Sequence, residues 1–175
     1  MKKEKVFDVL ILADYLEIRY KEQYEEDISI LKMNKALYFC FAYWGAYVRM
    51  RKKNIDNVEV DEIEEYSEYL FNAEFKAGVY GPYIEKLPKY ENKYKPIHKE
   101  KKFIYCDIIK GLVKIQYNGE LFKYLDHLLR DLFNANEFDL MDISMKDEEY
   151  KRAKDNNYGI MNNDKIIDEY CKKNY

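Results

Sequence analysis

The 175-residue chain predicts a mainly α fold, a single compact helical domain organised around a long buried central helix. Three observations carry this. Apolar residues recur at three- and four-residue steps through several separate stretches, the spacing of one face of an α-helix. The length suits one ordinary domain, enough to bury a core without disulfides or a structural metal. Neither an internal repeat nor a low-complexity linker divides the chain.

The first helix is predicted from about Phe7 to Gln23, with Val9, Leu10, Ala13, Leu16 and Tyr20 on one stripe. Ser29, a good N-cap, precedes a second stripe of Ile30, Met33, Leu37, Phe41, Trp44 and Val48. Between Ala36 and Val48 this helix is apolar all round, yet it falls short of the ~20 residues a bilayer requires, so it belongs to the core. Arg49, Arg51, Lys52 and Lys53 close it with the positive charge that favours a helix C-terminus. Residues 54–75 form an acidic block without a single Lys or Arg, in which mixed apolar spacing predicts a short helix followed by an extended piece. Gly78, Gly81 and Pro82 mark a turn, and Pro82 suits the first position of a short helix toward Leu87.

From Glu85 to Lys102 a lysine-rich stretch with Pro88 and Pro96 reads as a surface loop. Residues 103–117 are β-branched and aromatic, broken by Gly111, and helix and strand are not separable there. Asn118 offers a cap for a helix through Leu121, Leu125, Leu128, Leu129 and Leu132. Shorter helices follow over Glu137–Ser144, Glu148–Ala153 and from Asn163 through Tyr170.

Composition narrows the function classes. The formal charge is -3 at pH 7, which gives no whole-molecule case for nucleic-acid or anionic-membrane binding. Cys40, Cys106 and Cys171 are far apart and odd in number, fitting reduced thiols and a cytoplasmic protein, and the N-terminus lacks the apolar run of a signal peptide. An enzyme needs acids, bases and nucleophiles in a recognisable set. Here His98 lies in the lysine-rich stretch, His127 lies on a predicted helix, and no DxD, HExxH, glycine-rich phosphate loop or GxSxG element occurs. A binding protein with no catalytic residues, no cofactor and no metal is the expectation. Tyr90 and Tyr94 among the lysines of residues 85–102 describe the rival, a nucleic-acid-binding regulator that uses charge and stacking.

Three ordered pieces bear on identity. The run Leu31, Lys32, Met33, Asn34, Lys35, Ala36, Leu37, Tyr38 and Phe39, continuing to Tyr43 and Trp44, resembles the helix of the Panacea, or SocA-like, antitoxin domain. Leu70, Phe71, Glu74, Ala77, Tyr80, Gly81 and Pro82 resemble its second motif, and residues 139–150 with 160–170 its C-terminal region. Together these span nearly the whole chain. The chain departs from that pattern at Gly78, where the family carries tryptophan, at Tyr83, at Met145 after Ser144 in place of histidine, and at Tyr150 in place of a later tryptophan.

The resemblance implies a mainly helical fold with a minor β element, and the role of antitoxin in a toxin–antitoxin pair. The partner would be a cognate protein toxin encoded by an adjacent gene, such as an alarmone-synthetase-like enzyme that modifies nucleotides or tRNA, held by direct occlusion in a hetero-oligomer. Some family members resemble adaptors that deliver the toxin to a protease.

Lys35, Tyr38, Trp44, Tyr80, Gly81 and Pro82 of the family motifs are expected to be structural, with Trp44 in the core, Lys35 snorkelling at the helix edge and the Tyr80-Gly81-Pro82 triplet shaping a turn. For the toxin contact, the acidic block offers Glu59, Glu62, Glu64, Glu65, Tyr66, Glu68 and Tyr69. Carboxylates suit the positive groove of a toxin that holds phosphates, and tyrosines anchor the contact.

Overall fold

The computed structural model describes residues 7–53, 67–98 and 119–174. It is mainly α. In chain order the described elements are α1 (Val9–Tyr24), α2 (Ile30–Lys53), strands β1 (Phe75–Gly78), β2 (Gly81–Ile84), β3 (Lys89–Tyr90) and β4 (Lys93–Tyr94), then α3 (Gly119–Asn134), α4 (Glu137–Met145), α5 (Glu148–Asp155) and α6 (Asn163–Asn174). The strands form two separate antiparallel pairs, the minor β element.

Local chemistry sets the helix ends. Asp8 caps α1 by accepting from the backbone of Leu10 and Ile11, and Ser29 caps α2 by accepting from the Lys32 amide at 2.9 Å. Asp147 occupies the cap position of α5 but makes no capping bond. Its place is taken by Glu169 of α6, whose carboxylate accepts from the amides of Glu148 and Glu149. Asp147 is thereby released to the interior, where it accepts from the hydroxyls of Tyr38 at 2.7 Å and Tyr170 at 2.8 Å and from Lys173 at 2.5 Å. A buried carboxylate satisfied by three donors ties α2, α5 and α6 into one unit.

The long helix α2 is the axis. Met33, Ala36, Leu37, Tyr38, Phe41, Ala42 and Trp44 are fully buried along it, and α1, α3, α4, α6 and β2 all pack against it. The predicted aromatic stripe is therefore core: Phe41 contacts Tyr69, Phe71 and Phe75, while the Trp44 indole donates to the Ser67 carbonyl at 2.9 Å. No described helix is long and apolar enough to cross a membrane.

Two expectations are corrected. Pro82 does not open a helix toward Leu87, because residues 81–84 pair with 75–78 as a hairpin in which Ala77 faces Pro82. Ala77 donates its amide outward to Gly159 at 3.1 Å, so the Ala77–Pro82 pair exchanges no ladder bond and the imide nitrogen of Pro82 costs the sheet nothing. Residues 85–98 are likewise not simply a surface loop. They carry the β3–β4 pair, Leu87 and Tyr94 are buried, and the Tyr94 amide donates to Ile28 at 3.0 Å. Of the short helix and extended piece expected over residues 54–75, the part at 54–66 lies outside the described residues, while 67–74 are non-helical and bridge Phe7 through Phe71. The ambiguous stretch 103–117 lies outside the described residues.

Candidate interaction surface at the hairpin tip

The β1–β2 hairpin turns through Val79 and Tyr80. Neither takes a positive φ, and Gly81 follows at φ 88°, the left-handed conformation that lets so short a connection rejoin a strand. The whole hairpin is held from outside. Tyr150 donates to the Gly78 carbonyl at 2.8 Å, Asn34 accepts from the Ile84 amide at 2.8 Å, and the Met161 amide donates to Phe75 at 2.8 Å. On this fixed frame Val79 and Tyr80 are each 68 % exposed, with Ile160, 56 % exposed, bridged to Lys76 of β1.

Tyr158 joins them from the turn after α5. Asn157 and Tyr158 lie at φ 57° and 54°, a region that non-glycine residues adopt at a cost of about 1 kcal/mol or more each. That strain places a half-exposed tyrosine on the wall of a cleft of about 460 Å³, which Val79, Tyr80, Ile30 and Leu31 also line. Isolated exposed apolar side chains are ordinary, but four gathered on a rigid tip beside a cleft mark a surface suited to docking.

Lys35 lies at the floor of this cleft. It does not snorkel: it is 1 % exposed, and its ammonium donates to the Pro82 carbonyl at 2.8 Å. Gly81 makes room for it, since a Cβ there would stand 2.8 Å from Lys35 Nζ and 2.7 Å from Ser144 Oγ. Burial pulls the Lys35 amine down to about 7, with no carboxylate among the described residues to offset it.

The remaining expected residues separate. Tyr38 and Trp44 serve the core; Gly81 and Pro82 shape the hairpin, while Tyr80 exposes its side chain at the tip. Of the acidic candidates, Glu59, Glu62, Glu64, Glu65 and Tyr66 lie outside the described residues. Glu68 pairs with Arg49 at 2.6 Å, and Arg49 also bonds Asp164 and Asp168. Tyr69 packs on Phe41. Both are thus engaged by the chain's own α2.

The lysine-rich stretch is fixed by a residue that sequence reasoning passed over. Asp14 of α1, fully buried, accepts from the Tyr94 hydroxyl at 2.6 Å, from the amides of Ile97 and His98, and bonds His98 Nδ1 at 2.6 Å. Tyr94 is consequently a core side chain and offers no stacking face to a nucleic acid. Searches against protein families, curated proteins and solved structures find no match.

Proposed function

We propose that the chain is a cytoplasmic antitoxin, which binds a protein toxin encoded by an adjacent gene and holds it in an inactive complex without a cofactor. The observation that carries this reading is the rigid apolar tip, where Val79, Tyr80, Tyr158 and Ile160 stand exposed on a hairpin clamped by α2, α5 and the segment before α6. Preorganised anchors lose little entropy on docking, the condition for tight binding through a small number of side chains. Effective neutralisation at low concentration needs nanomolar affinity, about -12 kcal/mol. The three ordered motifs that resemble the Panacea domain support the same role. Glu59, Glu62, Glu64 and Glu65 complement the tip by steering a toxin whose active site is positively charged.

Co-expression with each adjacent gene tests the proposal. One product should arrest growth alone, be neutralised by this chain and co-purify with it. Rescue should fail when Val79→Ser and Tyr80→Ser are combined, with the protein still folded and abundant. Absence of a toxic, co-purifying neighbour would refute the reading.

A further inference from the structure

Lys35 is fixed at the base of the hairpin cleft with donors to spare. An ammonium offers three N–H groups, and among the described residues the acceptor it meets is the Pro82 carbonyl at 2.8 Å. Its polar neighbours make bonds elsewhere in the fold. Asn34 accepts from the Ile84 amide and donates to the Ile30 carbonyl, and Ser144 donates to the Met141 carbonyl. Among the described residues no acid lines the cleft, whereas Lys89 adds a second positive charge. The setting is unusual for a chain with an excess of carboxylates. Burying an uncompensated cation is costly, and such a group is normally paired.

We infer that the cleft between the hairpin tip and the start of α2 is a binding site for an apolar carboxylate, whose charge pairs with Lys35 while its hydrocarbon part lies against Ile30, Leu31, Val79, Tyr80 and Tyr158. The volume of about 460 Å³ falls within the roughly 300–1,000 Å³ of small-ligand sites, which combine apolar walls with a small number of polar groups. The inference goes beyond the antitoxin reading, because it concerns the chemistry of the cleft and holds whether or not a toxin docks at the tip.

Binding carries a proton signature. With its amine pulled down to about 7, Lys35 is only partly charged at neutral pH, and a bound carboxylate favours the ammonium form, so that Lys35 takes up a proton from the solvent on binding. The groups facing Lys35 are the Pro82 carbonyl and Gly81 from β2, the Ser144 hydroxyl from α4 and Asn34 on its own helix, with Lys89, Tyr80, Tyr83 and Tyr158 around the cleft.

The test titrates 3-phenylpropionate into the full chain by calorimetry at pH 7, in two buffers of different ionisation enthalpy. Binding should be accompanied by net proton uptake, read as a heat that differs between the two buffers. The neutral analogue 3-phenylpropan-1-ol should bind at least roughly tenfold more weakly, the advantage of a charge-assisted contact. Lys35→Met should erase that preference without lowering the melting temperature, and Lys89→Ala should retain it. A peptide ending in phenylalanine, compared as free acid and as amide, distinguishes the source. Binding of the free small acid alone assigns the cleft to a small molecule, and binding of the peptide acid as well assigns it to a protein chain end. Equal binding of acid and alcohol, unchanged binding by Lys35→Met, or no heat up to about 10 mM, where a weak ligand of this size is still detected, would overturn the inference.

Discussion

Lys35 and Glu17 are buried ionisable groups whose shifts run in opposite directions. Folded, Lys35 titrates at about 7 against an ordinary 10.5. Between those values the unfolded chain binds the extra proton, so this group makes the fold more stable as pH rises above 7 and least stable below it. Glu17, buried and accepting from the Ile28 amide at 3.0 Å, is raised by burial from 4.5 to about 7. There the folded chain holds the extra proton, so its contribution is full below 4.5 and disappears as pH climbs through 7.

Two outcomes follow in denaturant unfolding across pH. Lys35→Met should be more stable than wild type at pH 6, and its advantage should shrink by roughly 1.4 kcal/mol per pH unit between about pH 7.5 and 9.5. Glu17→Gln should flatten the rise in stability between pH 7 and 5. A constant gap between Lys35→Met and wild type at all pH would contradict the buried, shifted amine. The difference between a snorkelling and a buried Lys35 was not resolved by the stripe of α2 alone, since the outcome depends on a hairpin more than forty residues later closing over it.

At the scale of elements, helices were legible and the hairpin was not. The bounds of α2, α4 and α6 follow from caps and from 3.6-residue spacing, both local properties, whereas α5 is capped from a distance by Glu169 of α6. Residues 75–84 fold by non-local bonds to Gly159, Tyr150, Asn34 and Phe75's partner Met161. No periodicity in the segment itself encodes those contacts, and Pro82 locally favours a helix start.

Each kind of element can be probed. Trp44→Ala or Phe41→Ala, emptying fully buried positions of α2, should cost about 3 to 5 kcal/mol in unfolding free energy. A variant that kept its melting temperature but lost its partner would instead mark the stripe as an interface. Gly81→Ala should cost about 2 kcal/mol or more, because it combines φ 88° with a Cβ 2.8 Å from Lys35 Nζ. Full stability of Gly81→Ala would show that the hairpin does not close on Lys35.

Taken together, the described residues form a helical frame around α2 that carries an apolar hairpin tip, and function is proposed to reside there. The acidic stretch was visible in sequence as charge without countercharge. The tip was not, because Val79 and Ile160 look like ordinary β-formers until the fold leaves them exposed, and Tyr158 reaches the cleft through two consecutive positive-φ residues, of which Asn157 suits that region and Tyr158 itself does not. If the acidic stretch steers the partner, replacing Glu62, Glu64 and Glu65 by glutamine should slow association and flatten its salt dependence with little effect on folding. Unchanged rates at low salt would return these residues to a solvated face. Glu68 is left out of that set because it pairs with Arg49. The most direct measurement is the affinity of the purified chain for the toxic product of its neighbouring gene, compared with that of the Val79→Ser, Tyr80→Ser variant. The account predicts nanomolar binding weakened by roughly a hundredfold or more at unchanged melting temperature. Equal affinity of the two proteins would contradict it.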